Sequence, residues 1–191
     1  MELAGVRVAI LAETQYEDLE LWYPYLRLQE AGAEVFIVGS GSADRYTSKH
    51  GLPVTVDAEA DTVNADQFDA VVIPGGWAPD YMRRHQAVLT FVRDAAASGR
   101  VIAAICHAGS VLASAHIVQG RTLTCYHSIK DDLVNAGATY VDEEVVQDGS
   151  LITSRHPADL PAFCRTLIAE LQERSAEHRQ QPAATGIQSR A

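Results

Sequence analysis

The sequence predicts an α/β fold: one domain with a mostly parallel central sheet, helices packed against it, and a nucleophile elbow. Three observations carry this expectation. Short apolar runs alternate with longer segments of helical spacing, the pattern left by parallel β-α-β units with right-handed crossovers. The 191 residues are 47% hydrophobic and contain no internal repeat or inter-domain linker, which suits one compact core. The run Val101–Ile105 leads directly into Cys106-His107-Ala108-Gly109-Ser110 and more apolar residues, so a strand, a sharp turn and a helix place a thiol at the apex.

In chain order, residues 6–12 form an apolar strand. A helix follows over 17–30, traced by Leu19, Trp22, Tyr23 and Leu26. Pro24 offers no N–H to the Glu20 carbonyl and should kink this helix near its start. Residues 33–38 are the second strand, and 45–56 a hairpin or extended excursion around His50-Gly51. The third core strand, 69–73, runs at once into Pro74-Gly75-Gly76. A helix over about 80–98, with a break near His85, precedes the fourth strand, 101–105, and the elbow helix covers 109–115. Residues 121–126 read as a strand and 129–135 as a short helix. Segments 140–146 and 151–154 flank Asp148-Gly149, a hairpin signal. Leu160, Phe163, Cys164, Leu167, Ile168 and Leu171 form the apolar stripe of the last helix, with Pro161 in its first turn. The domain spans residues 1–173, and the polar segment 174–191 is expected to be a disordered tail.

Composition narrows the partners. A net charge of −10 argues against non-specific binding to nucleic acid or anionic membranes. No apolar run reaches membrane-spanning length, and the N-terminus lacks the basic-then-apolar pattern of a signal peptide. Three cysteines do not read as a disulfide framework, so a reducing, cytoplasmic setting is expected. With no H-E-x-x-H and no C-x-x-C, no metal is expected. Gly39-Ser40-Gly41 lacks the third glycine of a dinucleotide fingerprint, and no cofactor is expected either.

Cys106 is the candidate nucleophile. The elbow lifts it clear of the backbone, and the following helix start should favour its thiolate. His107 is adjacent in sequence, so it points elsewhere and reaches the thiol only if the turn is tight. The Gly75 and Gly76 N–H groups, with the one after Cys106, could form an oxyanion hole. Glu17 and Glu20, three residues apart, share a helix face. They fit a solvated acidic helix start, where carboxylates suit the dipole. They also fit a catalytic acid, because Leu19, Leu21, Trp22 and Tyr23 surround Glu20 with apolar bulk that would raise its pKa. Cys164 lies on the last helix's apolar stripe and Cys125 ends a strand, so both read as core.

Several motifs occur in order over about residues 5–172: Y-E-D-L-E-L-W-Y-P from Tyr16, K-H-G at Lys49, I-P-G-G-W-A-P-D from Ile73, A-I-C-H-A-G from Ala104, S-I-K-D-D at Ser128 and S-R-H-P-A-D-L at Ser154. Together they resemble the DJ-1/PfpI superfamily, in its intracellular protease I-like branch, with a class-I glutamine-amidotransferase-like, flavodoxin-like sandwich. The resemblance implies that Cys106 is the reactive cysteine, that Glu20 hydrogen-bonds it, and that Glu17 and Tyr126 line the same pocket. It implies that His107 is a triad histidine whose acidic partner, Asp80, comes from a neighbouring subunit. A homodimer or higher homo-oligomer, with the site near the interface, follows from it. The sequence departs from the branch in having Ala108-Gly109 after Cys-His, Asp80 in place of a glutamate, and His127 where proline is common. His127 and His156 read as surface substitutions.

The function expected is a stress-related, cysteine-dependent hydrolase or lyase acting on reactive carbonyls or glycated molecules, of glyoxalase or deglycase type. The alternatives are an intracellular cysteine protease using Cys106, His107 and Asp80 on peptides, and a stress protein that senses oxidation through Cys106.

Overall fold

Strands β1 (Arg7–Ala12), β6 (Ala70–Ile73) and β7 (Val101–Ile105) lie side by side at the middle of the molecule, and nearly every residue in them is buried. That is the fate expected of continuous apolar runs covered on both faces. The computed structural model describes residues 2–180. In chain order the other elements are α1 (Asp18–Ala31), β2 (Glu34–Gly39), β3 (Arg45–Thr47), β4 (Pro53–Thr55), β5 (Ala58–Glu59), α2 (Ala78–Met82), α3 (Gln86–Ala97), α4 (Gly109–Ser114), β8 (Thr122–Leu123), α5 (Lys130–Asn135), β9 (Thr139–Tyr140), β10 (Val145–Asp148), β11 (Leu151–Ser154) and α6 (Leu160–Gln180).

The main sheet has seven strands in the order β10-β11-β7-β6-β1-β2-β5. All neighbours pair in parallel except β10, which turns back antiparallel on β11. The mostly parallel α/β sandwich expected from the sequence is therefore present. From β1 the chain steps to β2 on one side, whereas β6 steps to β7 on the other. Right-handed crossovers in opposite directions put α1 and α3 on opposite faces. Accordingly α1 packs with α6, while α3 packs with α4, which also meets α2 and α5. The order reverses between β1 and β6, where such folds open a crevice beyond the strand ends.

The two loops that line that crevice are tied together by backbone contacts. Glu17 N–H donates to the Gly75 carbonyl at 3.2 Å, and Trp77 N–H donates to the Gln15 carbonyl at 2.9 Å. Gly76 holds φ +77°, and a Cβ there would lie 2.5 Å from the Gln15 oxygen and the Glu17 nitrogen. Glycine is thus required by both conformation and space.

Most elements match expectation within a residue or two, including the β3–β4 hairpin and the break between α2 and α3 at the extended residue His85. Three depart. The strand expected at 121–126 shrinks to Thr122–Leu123. Thr124 N–H is taken by the Thr153 hydroxyl at 2.9 Å and Tyr126 N–H by the Cys106 carbonyl at 3.2 Å, so this segment is tied to the site rather than to a ladder. The strand expected at 140–146 divides: Tyr140 ends β9, beside β8, and Val145 begins β10. Helix α6 continues through Arg174 to Gln180, where a tail was expected. Arg174 donates to Glu170 at 2.6 Å and to the Gly99 carbonyl at 2.5 Å, which ties the next turn to the body. The remainder of the expected tail, 181–191, lies outside the described residues. Helix α1 runs unbroken through Pro24, the expected site of a kink, to its end at Gly32, which takes φ +98°.

Candidate active site

Cys106 follows β7 directly and holds φ +61°. A left-handed conformation in a non-glycine residue costs about 1–3 kcal/mol and marks a turn under constraint. Residues Cys106–Ala108 form a 3-10 turn, after which α4 begins at Gly109. The elbow read from the sequence is present, and it aims the thiol at the crevice between the β1 and β6 loops. Only 7% of Cys106 is exposed.

Glu20 reaches the same point from α1 and is fully buried. Glu17 caps that helix: its Oε2 accepts the Glu20 N–H at 3.0 Å. The Glu20 carboxylate accepts the Gly75 N–H on Oε2 at 2.7 Å. Oε1 is buried and has no hydrogen-bond partner among the described residues, while the Cys106 thiol is close enough for each group to shift the other's pKa. Space is tight here, since a Cβ on Gly75 would lie 2.6 Å from Glu20 Oε2 and 2.7 Å from Cys106 Cβ. Burial pushes the Glu20 pKa up to about 7, helped by the charge of Glu17 and opposed by the Gly75 N–H.

Burial and the negative charge of Glu20 push the Cys106 thiol up to about 12, and the N–H groups of His107 and Gly76 act against that rise. The elbow was expected to favour the thiolate. That expectation is corrected: desolvation and an adjacent carboxylate outweigh one short helix start. The two groups are coupled, however. A proton on Glu20 removes its charge and lets it donate to the sulfur, so a thiolate can form when the proton leaves sulfur for Glu20. The pair behaves as two acids that give up their first proton together and their second only with difficulty.

The two glycines have different roles. Gly75 N–H is committed to Glu20, so it is not an open oxyanion donor. The Gly76 and His107 N–H groups favour the charged form of the thiol, and this pair is the available anion cradle.

His107 Nδ1 lies 3.3 Å from Cys106 Sγ, so the turn is tight enough for contact, and Nε2 meets the Ser128 hydroxyl at 3.2 Å. Burial first, then Lys49 and His127, lower its pKa, so the ring is neutral at pH 7. The Tyr126 ring stacks on His107 at 4.9 Å. Asp80 does not join this group within one chain: it sits on α2, exposed and outside the cavity above the thiol. That cavity, about 500 Å³, is lined by Glu17, Glu20, Lys49, Gly76, Trp77, Cys106, His107, Tyr126, Ser128 and Pro157. Lys49, Trp77, Ser128 and Pro157 fall within the motifs quoted from the sequence but were not expected in the site. Trp77 had a readable signal, because it directly follows Gly75-Gly76, whereas Lys49 and Ser128 arrive from loops whose paths only the fold defines.

Glu17, Asp18 and His50 each bring one potential ligand atom within 4.8 Å of the others, but these groups already have partners. His50 Nδ1 and Asp18 Oδ2 are 2.7 Å apart, and the Lys49 ammonium stands 3.9 Å from Glu17. His127 and His156 line a separate cavity of about 300 Å³ with Cys125 and Arg155. Cys125 and Cys164 are both buried, and burial pushes each thiol up to about 12.

The sequence matches the DJ-1/PfpI family over residues 6–170. It is 42% identical over 167 residues to deglycase PfpI of Pyrococcus furiosus, covering 87% of this chain and all of that relative. It is 38% identical over 159 residues to YraA of Bacillus subtilis, whose name proposes a cysteine protease, covering 83% of this chain and 94% of that one. Among solved structures, Drosophila melanogaster DJ-1beta superposes with a TM-score of 0.82 at 30% identity, covering 93% of this chain and 99% of that one. Among the described residues, no helix is long and apolar enough to cross a membrane.

Proposed function

The chain belongs to the DJ-1/PfpI family, and on that footing we propose that it is a cysteine-dependent enzyme acting on reactive carbonyl compounds or early glycation adducts. One observation carries the reading: a fully buried carboxyl, Glu20, converges with the elbow cysteine and the His107 backbone nitrogen on Gly75, where an added Cβ would lie 2.6 Å from Glu20 Oε2, 2.7 Å from Cys106 Cβ and 3.0 Å from that nitrogen, and carboxyl and thiol each shift the other's pKa. This arrangement moves one proton between sulfur and carboxyl and stabilises one developing anion, which is what addition to a carbonyl requires.

In the first step the thiol proton passes to Glu20 and the sulfur adds to the aldehyde carbon. A C–S bond forms, and the carbonyl electron pair moves to the oxygen, which accepts the Gly76 and His107 N–H groups. For an α-oxoaldehyde, the hydrogen on the former aldehyde carbon then leaves as a proton. A proton returns to the adjacent carbon, which leaves a thioester. Water cleaves that thioester, releasing a 2-hydroxy acid and restoring the thiol. The net change is addition of one water, with no outside oxidant or reductant. The neutral His107, 3.3 Å from the sulfur, is placed to carry protons between intermediate and water. For a hemiaminal glycation adduct, the C–S bond forms at the same carbon as the C–N bond breaks and the amine leaves with the thiol's proton, which gives the same hemithioacetal.

The peptidase reading draws on the name of the Bacillus relative. It requires an acidic partner for His107, and in this chain the Nε2 partner is Ser128. Asp80 of a second copy would have to supply that contact, within a homo-oligomer that closes near the cavity.

The test is lactate formation from methylglyoxal by wild type, Cys106→Ala and Glu20→Gln. Loss of turnover in Cys106→Ala, and a fall of at least a hundredfold in kcat for Glu20→Gln, are expected. Equal rates for wild type and Cys106→Ala would overturn the reading. Cleavage of small peptides that depends on both Cys106 and Asp80, without lactate formation, would establish the peptidase instead.

A further inference from the structure

The cavity above Cys106 is larger than a three-carbon substrate needs. Even at the roughly 30 Å³ that a liquid water molecule occupies, the five heavy atoms of methylglyoxal fill about 150 Å³, against about 500 Å³ here. The surplus space has an aromatic wall. Trp77 is 62% exposed, although tryptophan is usually well buried. Its backbone is fixed by the hydrogen bond to Gln15 and by its position directly before α2. Its ring lies 6.0 Å from the His107 ring, and His107 in turn stacks on Tyr126. A carbonyl carbon bonded to Sγ sits next to His107, whose Nδ1 is 3.3 Å from that sulfur. A planar group one or two bonds further on is therefore within reach of the open Trp77 face.

Building on the carbonyl chemistry above, we propose that Trp77 is a specificity-determining residue and that the preferred substrates are α-oxoaldehydes carrying a planar aromatic or heteroaromatic group, which stacks on its ring. Stacking and edge-to-face contacts of this kind strengthen binding several-fold beyond simple burial. A methyl substituent leaves the ring in water and gains none of this. The chemistry is unchanged: phenylglyoxal plus one water gives mandelate, as methylglyoxal plus one water gives lactate.

The experiment reads specificity in two ways. First, kcat/KM for phenylglyoxal divided by that for methylglyoxal is measured in wild type, Trp77→Ala and Trp77→Phe. The ratio should fall about three- to tenfold in Trp77→Ala, mainly through KM for phenylglyoxal, and recover in Trp77→Phe. Second, the dissociation constants of mandelate and lactate are measured by calorimetry in the Cys106→Ala background, with and without Trp77→Ala. Mandelate should bind about three- to tenfold more tightly than lactate, and the difference should vanish without the indole. This second reading needs no turnover, so it stands even if the carbonyl reaction fails. A ratio unmoved by Trp77→Ala, or equal binding of the two acids, would overturn the proposal. So would a change in oligomeric state in Trp77→Ala by light scattering, which would mark the ring as a subunit contact.

Discussion

Replacing Gly75 by alanine tests whether the site depends on the close approach of three elements. The added methyl would stand 2.6 Å from Glu20 Oε2, 2.7 Å from Cys106 Cβ and 3.0 Å from the His107 nitrogen. None of these neighbours is the end of a flexible surface chain. Glu20 is fully buried, Cys106 lies on a strained turn, and the His107 nitrogen is backbone. Relief of the clash means moving the carboxyl and the elbow apart by roughly an ångström, the distance to an ordinary carbon contact of about 3.5 Å. Overpacking of this kind costs about 1–3 kcal/mol. In a chain of this size that lowers the thermal midpoint by roughly 2–12 °C. A misplacement of about 1 Å at reacting groups costs on the order of a hundredfold in rate. Gly75→Ala should therefore remain folded, with an unchanged far-ultraviolet circular dichroism spectrum at 25 °C, while its carbonyl turnover falls about a hundredfold. Turnover within threefold of wild type in a variant destabilised by the expected amount would refute the claim that Glu20–Cys106 contact is what matters.

Two further outcomes follow from the same geometry. Ser128→Ala removes the Nε2 partner of His107 and should lower kcat about three- to tenfold with a smaller change in KM, because it frees the ring while taking only one hydroxyl from the cavity lining; steady-state kinetics checks this. Glu20 has a folded-state pKa near 7 against 4.5 unfolded, so the folded protein holds the proton more tightly. Its stabilising contribution is complete below pH 4.5 and is lost as pH rises through 7, amounting to about 3 kcal/mol. Glu20→Gln should lack that slope, so urea unfolding at pH 5 and pH 8 should show the wild type losing more stability between the two pH values than the variant does.

The parts of this molecule that could be read from its sequence are those encoded locally. β1, β6 and β7 were legible because an apolar run buried on both faces has few alternatives, and the elbow because a strand that ends in Cys-His at a helix start constrains the turn. The burial of Glu20 was legible only in part: of Leu19, Leu21, Trp22 and Tyr23, expected to surround it, Leu21 is buried, but Leu19 and Tyr23 are exposed. What stayed hidden depends on distant partners. Thr124 leaves its expected strand for a hydroxyl 29 residues away. The Gly75 N–H is spent on a carboxylate 55 residues earlier, and no local pattern tells it from Gly76. The direction of the Cys106 pKa shift is hidden from the sequence because only an elbow's local field is visible there, whereas desolvation by the surrounding layers and the charge of Glu20 arise only in the folded chain. Helix α6 outran its apolar stripe because Arg174 finds the Gly99 carbonyl 75 residues away.

The central claim is that Glu20 and Cys106 share a proton, and the rate of Cys106 alkylation as a function of pH tests it most directly. Peptide mass spectrometry can follow Cys106 while Cys125 and Cys164, each 1% exposed, serve as internal references. In the wild type, alkylation of Cys106 should rise with a midpoint near 7, where the pair gives up its first proton, and the two reference thiols should stay unmodified. In Glu20→Gln that rise should disappear, leaving a single transition above the ordinary thiol range. Superimposable pH profiles for wild type and Glu20→Gln would contradict the account.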